Sequence, residues 1–88
     1  MYSDSVLILF GSTRLFVRAL ALCEGEGLEV RVLSVPDAIM AGCGMCLGLT
    51  EPVAQRAISL LRQAQIAGKV YTAQTFDLIQ EWNETTSL

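Results

Sequence analysis

The chain has 88 residues, a length that suits one domain with a single hydrophobic core. Apolar residues make up 52% of it, more than so small a domain readily buries, so we expect self-association or a place in a larger complex. Six basic and nine acidic residues give a net charge of −3 without a basic stripe, which argues against binding to nucleic acid or to an anionic membrane surface.

The sequence shows no pattern typical of membrane insertion or export. Its longest apolar run, Val6 to Phe10, is far shorter than the roughly 18 residues needed to span a bilayer. The opening residues, Met1 to Asp4, lack the basic region of a signal peptide. Three cysteines are too few for a disulfide framework. We therefore expect a cytoplasmic protein whose thiols are reduced.

The first part of the chain predicts a strand, a helix and a second strand. Val6 to Phe10 is a continuous apolar run, typical of a central strand buried on both faces. Ser12 or Thr13 can cap the following helix, whose apolar residues recur at helical spacing until a glycine-rich stretch ends it. Residues 29–35 begin with the alternation typical of a strand.

The second part predicts two more strands around a second helix. Residues 36–43 form a loop or short turn, and residues 44–49 are a short apolar strand. Thr50 opens a helix that ends by Gly68, and residues 69–74 form a fourth strand. Three apolar residues beyond this strand have the spacing of a short amphipathic helix: Phe76, Ile79 and Trp82.

This order of elements predicts an α+β fold, the ferredoxin-like βαββαβ sandwich. Its four-stranded antiparallel sheet has the order 4-1-3-2, both helices cover one face, and a short C-terminal helix or tail follows. We assign residues 1–74 to the domain and residues 75–88 to this C-terminal segment.

The most reactive side chain lies in the segment Cys43-Gly44-Met45-Cys46, and the chain has no histidine. In the predicted topology Cys43 lies beside the N-terminus of the first helix, at Ser12, Thr13 and Arg14. The free N–H groups and positive dipole end of a helix favour a thiolate, and Arg14 and Lys69 would add positive charge. Cys43 is thus a candidate nucleophile; the alternative is that it packs as a small, partly buried hydrophobe.

The other two cysteines receive different interpretations. Strand alternation places Cys46 on the face of the sheet away from the helices, together with Gly44 and Gly48. Cys43 lies on the opposite face, so a disulfide between the two cysteines is not easily formed. Cys46 is therefore only a possible resolving thiol, since a thioredoxin-like pair would open a helix. Cys23 lies on the apolar stripe of the first helix and is predicted to be core.

We predict no metal and no cofactor. Tetrahedral zinc or an iron–sulfur cluster needs about four ligands, and one chain offers two neighbouring cysteines. A site shared across a two-fold dimer is the alternative that would supply four.

These features together resemble the Se/S carrier protein-like family, small bacterial domains of unknown function. The resemblance covers about residues 6–73 and rests on Phe10-x-Ser12-Thr13, Val35-Pro36 and Cys43-Gly44. It implies that sulfur or selenium is carried as a persulfide or selenopersulfide on Cys43. Asp37 departs from the family, which usually has arginine there, and a carboxylate would oppose a thiolate. Cys46 also departs, because the family usually has a small apolar residue at that position.

Two functions remain open at this stage. The first is a carrier, rather than a complete enzyme, which receives sulfur or selenium from a donor protein such as a cysteine desulfurase and passes it to an acceptor protein. The second is a non-catalytic docking or regulatory subunit, which assembles through the open face of the sheet and the C-terminal aromatic helix.

Overall fold

The computed structural model describes residues 6–35, 44–76 and 79–87, with side chains described up to residue 72. The elements in chain order are β1 (Val6–Leu9), α1 (Thr13–Gly25), β2 (Arg31–Ser34), β3 (Met45–Leu49), α2 (Glu51–Gln63), β4 (Lys69–Phe76) and β5 (Ile79–Ser87). Neither of the two helices has the length and apolar character needed to cross a membrane.

The strands form one antiparallel sheet in the order β2-β3-β1-β4-β5. Its first four strands have the predicted order 4-1-3-2 read from the other edge, which confirms the fold class. Leu9, the last residue of β1, pairs with Cys46 on one side and with Lys69 on the other. The end of β1 and the beginnings of β3 and β4 therefore share one end of the sheet.

The C-terminal segment differs from the prediction. Instead of a helix at Phe76, Ile79 and Trp82, β4 continues to Phe76 and β5 returns along it, with Trp82 opposite Ala73. The helix prediction is wrong because the outer edge of β4 offers unpaired N–H and C=O groups, and β5 supplies their partners. The division into residues 1–74 and 75–88 stays a prediction.

Both helices begin and end where local signals favour it. Ser12 is the N-cap of α1 and Thr50 the N-cap of α2, as predicted. After α1 the N–H of Glu26 donates to the carbonyls of Leu22 and Cys23, and Gly27 follows at a φ of +73°. A positive φ costs glycine little, so the glycine lets the chain reverse after the helix.

The main core lies between the sheet and the two helices. Strand side chains of one parity contribute to it, among them Ile8, Phe10, Leu47 and Leu49, and the helices add residues that are almost fully buried: Phe16, Ala19, Cys23, Ala54, Ala57 and Leu61. Leu47 and Leu49, which alternate with Cys46 along β3, thus lie under the helices. Met45 shares their parity but lies at the rim of the sheet and is 37% exposed.

The second face of the sheet carries its own small apolar cluster. Leu7, Leu9 and Cys46 are buried there, with Leu33, Val35 and Tyr71 packed against them. Cys46 therefore faces away from the helices, as predicted, but it is 0% exposed. The larger side chains on the neighbouring strands cover it, so this face is not open at Cys46.

Candidate functional site

Three connections meet at one end of the sheet. Here β1 leads through Gly11 into α1, β3 begins after Gly44, and β4 begins after Gly68. We call this the candidate end and define it as residues 10–14, 34–35, 44–45 and 68–69. It brings together five residues that the sequence had marked: Ser12, Thr13, Arg14, Gly44 and Lys69.

The N-terminus of α1 supplies hydrogen-bond donors at the candidate end. The Ser12 hydroxyl accepts a hydrogen bond from the N–H of Leu15 at 3.3 Å, and the Ser12 carbonyl accepts one from the N–H of Phe16 at 3.1 Å. The N–H groups of Thr13 and Arg14 donate to no acceptor within the described ranges. Such first-turn N–H groups, at the positive end of the helix dipole, form a favourable environment for an anion.

Gly44 has a backbone that demands glycine. Its φ is +75°, a value that L side chains rarely adopt, although an added Cβ would meet no atom of the described residues within 4 Å. The Gly44 carbonyl accepts a hydrogen bond from the N–H of Val35 at 3.1 Å. That bond joins the two residues that flank residues 36–43, and both of these flanking residues lie at the candidate end.

Gly68 permits a close approach of two chain segments. An added Cβ would lie 2.9 Å from the carbonyl oxygen of Leu9 and 3.1 Å from the Phe10 ring. The Phe10 ring in turn meets the Phe16 ring edge-to-face, with centroids 6.3 Å apart. The sequence predicted only that Gly68 ends a helix. The signal for a close approach of two chain segments was the position of this glycine immediately before a strand.

Positive charge predominates in the described part of the candidate end. Arg14 and Lys69 are exposed, and neither forms an ion pair with another described residue. The described glutamates of α1, its following turn and the start of α2 (Glu24, Glu26, Glu29 and Glu51) belong to the opposite end of the sheet. The field at the candidate end therefore favours an anion.

Cys43 and Asp37 lie outside the described residues, as does the whole of residues 36–43. The proximity of the Cys43 thiol to α1 therefore stays a prediction. The structure describes Gly44, which follows Cys43 in the chain, the N-terminus of α1, and the two cations Arg14 and Lys69.

The other two thiols, those of Cys23 and Cys46, are buried and are not joined in a disulfide. Cys46 is 0% exposed, and its Sγ lies 4.0 Å from the carbonyl oxygen of Ser34. Cys23 is also 0% exposed, which confirms it as core, and burial raises the pKa of its thiol. Neither sulfur is accessible to a reagent in this structure, and a resolving role for Cys46 stays a prediction. Among the described residues no group of three or more candidate ligands could hold a metal ion.

A protein-family model matches most of the chain. The family model described as "Putative Se/S carrier protein-like" matches residues 5–71, from the residue before β1 into β4. The chain belongs to this family. The match includes Cys43 and Gly44 and leaves out β5. No curated protein and no solved structure matches the chain.

Proposed function

We propose that this protein carries sulfur or selenium on Cys43, as a persulfide or selenopersulfide, between a donor protein and an acceptor protein. The observation that carries the proposal is the backbone of Gly44. This residue follows Cys43, holds a φ of +75°, and lies at the sheet end where α1 presents N–H groups that have no acceptor among the described residues. A peptide bond tethers Cys43 to that position.

The transfer needs only an attacking thiolate and a leaving group that can carry negative charge. The Cys43 thiolate attacks the outer sulfur of a donor persulfide, a new S–S bond forms on Cys43, and the donor leaves as a thiolate. The acceptor protein then repeats the same exchange on the Cys43 persulfide. Electrons and atoms balance without an external oxidant, and such exchange suits the cytoplasm, where thiols are kept reduced.

The surroundings favour the anionic forms that this exchange requires. The N–H groups of Thr13 and Arg14 and the charge of Lys69 stabilise a thiolate or persulfide anion nearby. Asp37 opposes them, since a carboxylate in the same loop repels a second anion. We therefore expect Asp37→Arg to accelerate loading of Cys43.

Mass spectrometry tests the proposal directly. After incubation with a cysteine desulfurase and cysteine, the wild-type protein should gain the mass of one sulfur atom, and peptide mapping should place it on Cys43. Cys43→Ser should lose the adduct, whereas Cys46→Ser, the matched control at a buried thiol, should keep it. An unmodified wild-type protein, or an equal adduct on Cys43→Ser, would contradict a carrier function.

The exposed apolar side chains favour a second candidate function, that of a docking or regulatory subunit. Val17, Val32 and Met45 are exposed large hydrophobic residues. In that case Cys43→Ser would leave function intact, and substitutions on the second sheet face or in β5, such as Gly48→Leu or Trp82→Ala, would disrupt assembly. Light scattering on these variants separates the two functions.

A further inference from the structure

Among the described strands, β2 lies at an edge of the sheet and has β3 as its one neighbour. Exposed apolar side chains gather around it. Val32 is 44% exposed and, with Met45, has the parity of Leu47, on the helix side of the two strands at this edge. An unpaired edge strand with an apolar side chain at its centre is a site for pairing with another strand.

The third exposed hydrophobic residue, Val17, also lies toward this edge. Glu26 lines a surface hollow together with Gln55 and Leu60, so the Glu26 side of α1 faces α2. Val17 is nine residues earlier, which at about 100° per residue places it on the opposite side of the helix. Because α1 packs against β3 while α2 packs toward β4, the Val17 side faces the β2 edge.

The backbone of β2 determines which hydrogen-bonding groups are left for a partner. The N–H of Val35 donates to the carbonyl of Gly44, the residue immediately before β3. Because the direction of N–H and C=O groups alternates along an antiparallel ladder, Leu33 also points to β3, and Val32 and Ser34 point outward. The outward groups of β2 are thus centred on the exposed Val32.

We propose that two copies of this chain pair through their β2 strands, antiparallel, about a two-fold axis at Val32. In this register the backbone N–H and C=O groups that point away from β3 in one copy meet those of the other copy. Each Val32 lies opposite Val32 of the second copy. Arg31 faces Leu33 of the second copy, so no like charges are opposed, as they would be in a register centred on Arg31. The contact at the axis is therefore between the two Val32 side chains, with Met45 on the same side of the sheet. A symmetric pair of this kind is self-complementary.

This arrangement keeps the two candidate ends apart. In the proposed register Val35 lies opposite residue 29 of the second copy, so the two Val35 residues are about 20 Å apart. Each carrier site would then work separately. The pairing does not depend on the proposed carrier function.

Sedimentation analysis of the full chain tests the pairing. The wild-type protein should sediment at twice the chain mass, and Val32→Lys, which opposes two ammonium groups at the axis, should raise the dimer Kd about tenfold or more. Ser59→Lys adds the same charge at an exposed position on α2 and should leave the dimer intact. A thermal melt checks that Val32→Lys is folded; Ser34→Pro, which removes one outward N–H at the edge strand, is a second disrupting variant.

Amide hydrogen exchange tests the register. In the dimer the N–H groups of Val32 and Ser34 should be protected, and their protection should fall on dilution, whereas Leu33 and Val35 should be protected at every concentration. A wild-type monomer up to about 1 mM would overturn the proposal, because pairing that weak is worth less than about 4 kcal/mol. A dimer that survives Val32→Lys, or one in which the Val32 amide exchanges rapidly, would overturn it as well.

Discussion

The two helices are both thirteen residues long, yet they carry opposite arrangements of charge. α2 has Glu51 in its first turn and Arg62 in its last, the arrangement that offsets a helix dipole. α1 has no acidic residue in its first turn and no basic residue in its last; Arg14 lies near its start and Glu24 near its end. The charges of α1 add to its dipole, which costs helix stability and strengthens the positive potential at the candidate end.

The N-caps of the two helices differ in the same way as their charges. The Ser12 hydroxyl caps α1 by accepting from one backbone N–H, whereas Thr50 makes no side-chain cap bond and α2 begins with Glu51 and a proline. α2 thus supplies its own negative charge at its N-terminus. α1 has no acidic residue in its first turn, and in the proposed function a persulfide on Cys43 would supply the negative charge there. The difference between the helices is therefore what a carrier site at α1 requires.

The largest expected effect is at Gly68, where the connection from α2 presses against the residues that lead into α1. In Gly68→Val the new Cβ would overlap the carbonyl of Leu9 and the Phe10 ring, so we expect a loss of about 3 kcal/mol in the free energy of unfolding. Gly11→Val is the matched control, because no atom lies within 4 Å of its added Cβ. Urea unfolding of both variants measures the difference. Equal losses would show that the close approach at Gly68 has no special cost.

Gly44→Ala should have the next largest effect, since its strain is in the backbone. Holding alanine at a φ of +75° costs about 1–2 kcal/mol. The same substitution should also slow persulfide loading, because relief of the strain displaces the residue that follows Cys43. Gly25→Ala in the last turn of α1, where φ is not positive, should be neutral or slightly stabilising. Unchanged stability and loading in Gly44→Ala would remove Gly44 from the candidate site.

The two caps provide a smaller and closely matched comparison. Ser12→Ala removes a hydrogen bond to the N–H of Leu15 and should cost about 1 kcal/mol. Thr50→Ala removes a side chain that makes no such bond and should cost only a few tenths of a kcal/mol, if anything. Thermal unfolding of the pair distinguishes the two. A larger loss for Thr50→Ala would reverse the comparison between the helices.

The features that could be predicted from the sequence were those with local signals. Each of these signals depends only on residues of one element. They are the apolar run of β1, the Ser12 cap of α1, and the alternation that puts Leu47 and Cys46 on opposite faces of β3. The burial of Cys46 could not be predicted, because it depends on Leu7 and Leu9, which reach it only through strand pairing. For β5 the local signal was misleading: the three-residue spacing of Phe76, Ile79 and Trp82 also fits a helix, and only the free edge of β4 selects the strand.

The candidate site divides in the same way. Sequence reasoning found the helix N-terminus and the two cations, because caps and topology locate them. It missed the close contact at Gly68, which exists only between distant segments of the chain. The placement of the Cys43 thiol among these groups stays a prediction.

The smallest expected effect tests the charge arrangement of α1. Arg14→Glu replaces a cation in the first turn with an anion, which should stabilise the helix by about 0.5 kcal/mol. The same change should slow alkylation and persulfide loading of Cys43, because it replaces attraction of a thiolate with repulsion. Stability and reactivity would then move in opposite directions, which no general damage to the fold produces.

Arg62→Glu at the other helix is the matched control, since it changes the net charge equally but removes a cation from the last turn of α2. We expect it to lower stability, the reverse of Arg14→Glu, because a carboxylate opposes the negative end of the dipole. Iodoacetamide kinetics at low and high salt complete the test. A slower reaction of Arg14→Glu that is restored at high salt identifies a screened charge effect at the candidate end. A change in reaction rate that does not depend on salt would instead mean that Arg14 acts by packing. It would contradict the stabilisation of an anion by the charge at the N-terminus of α1.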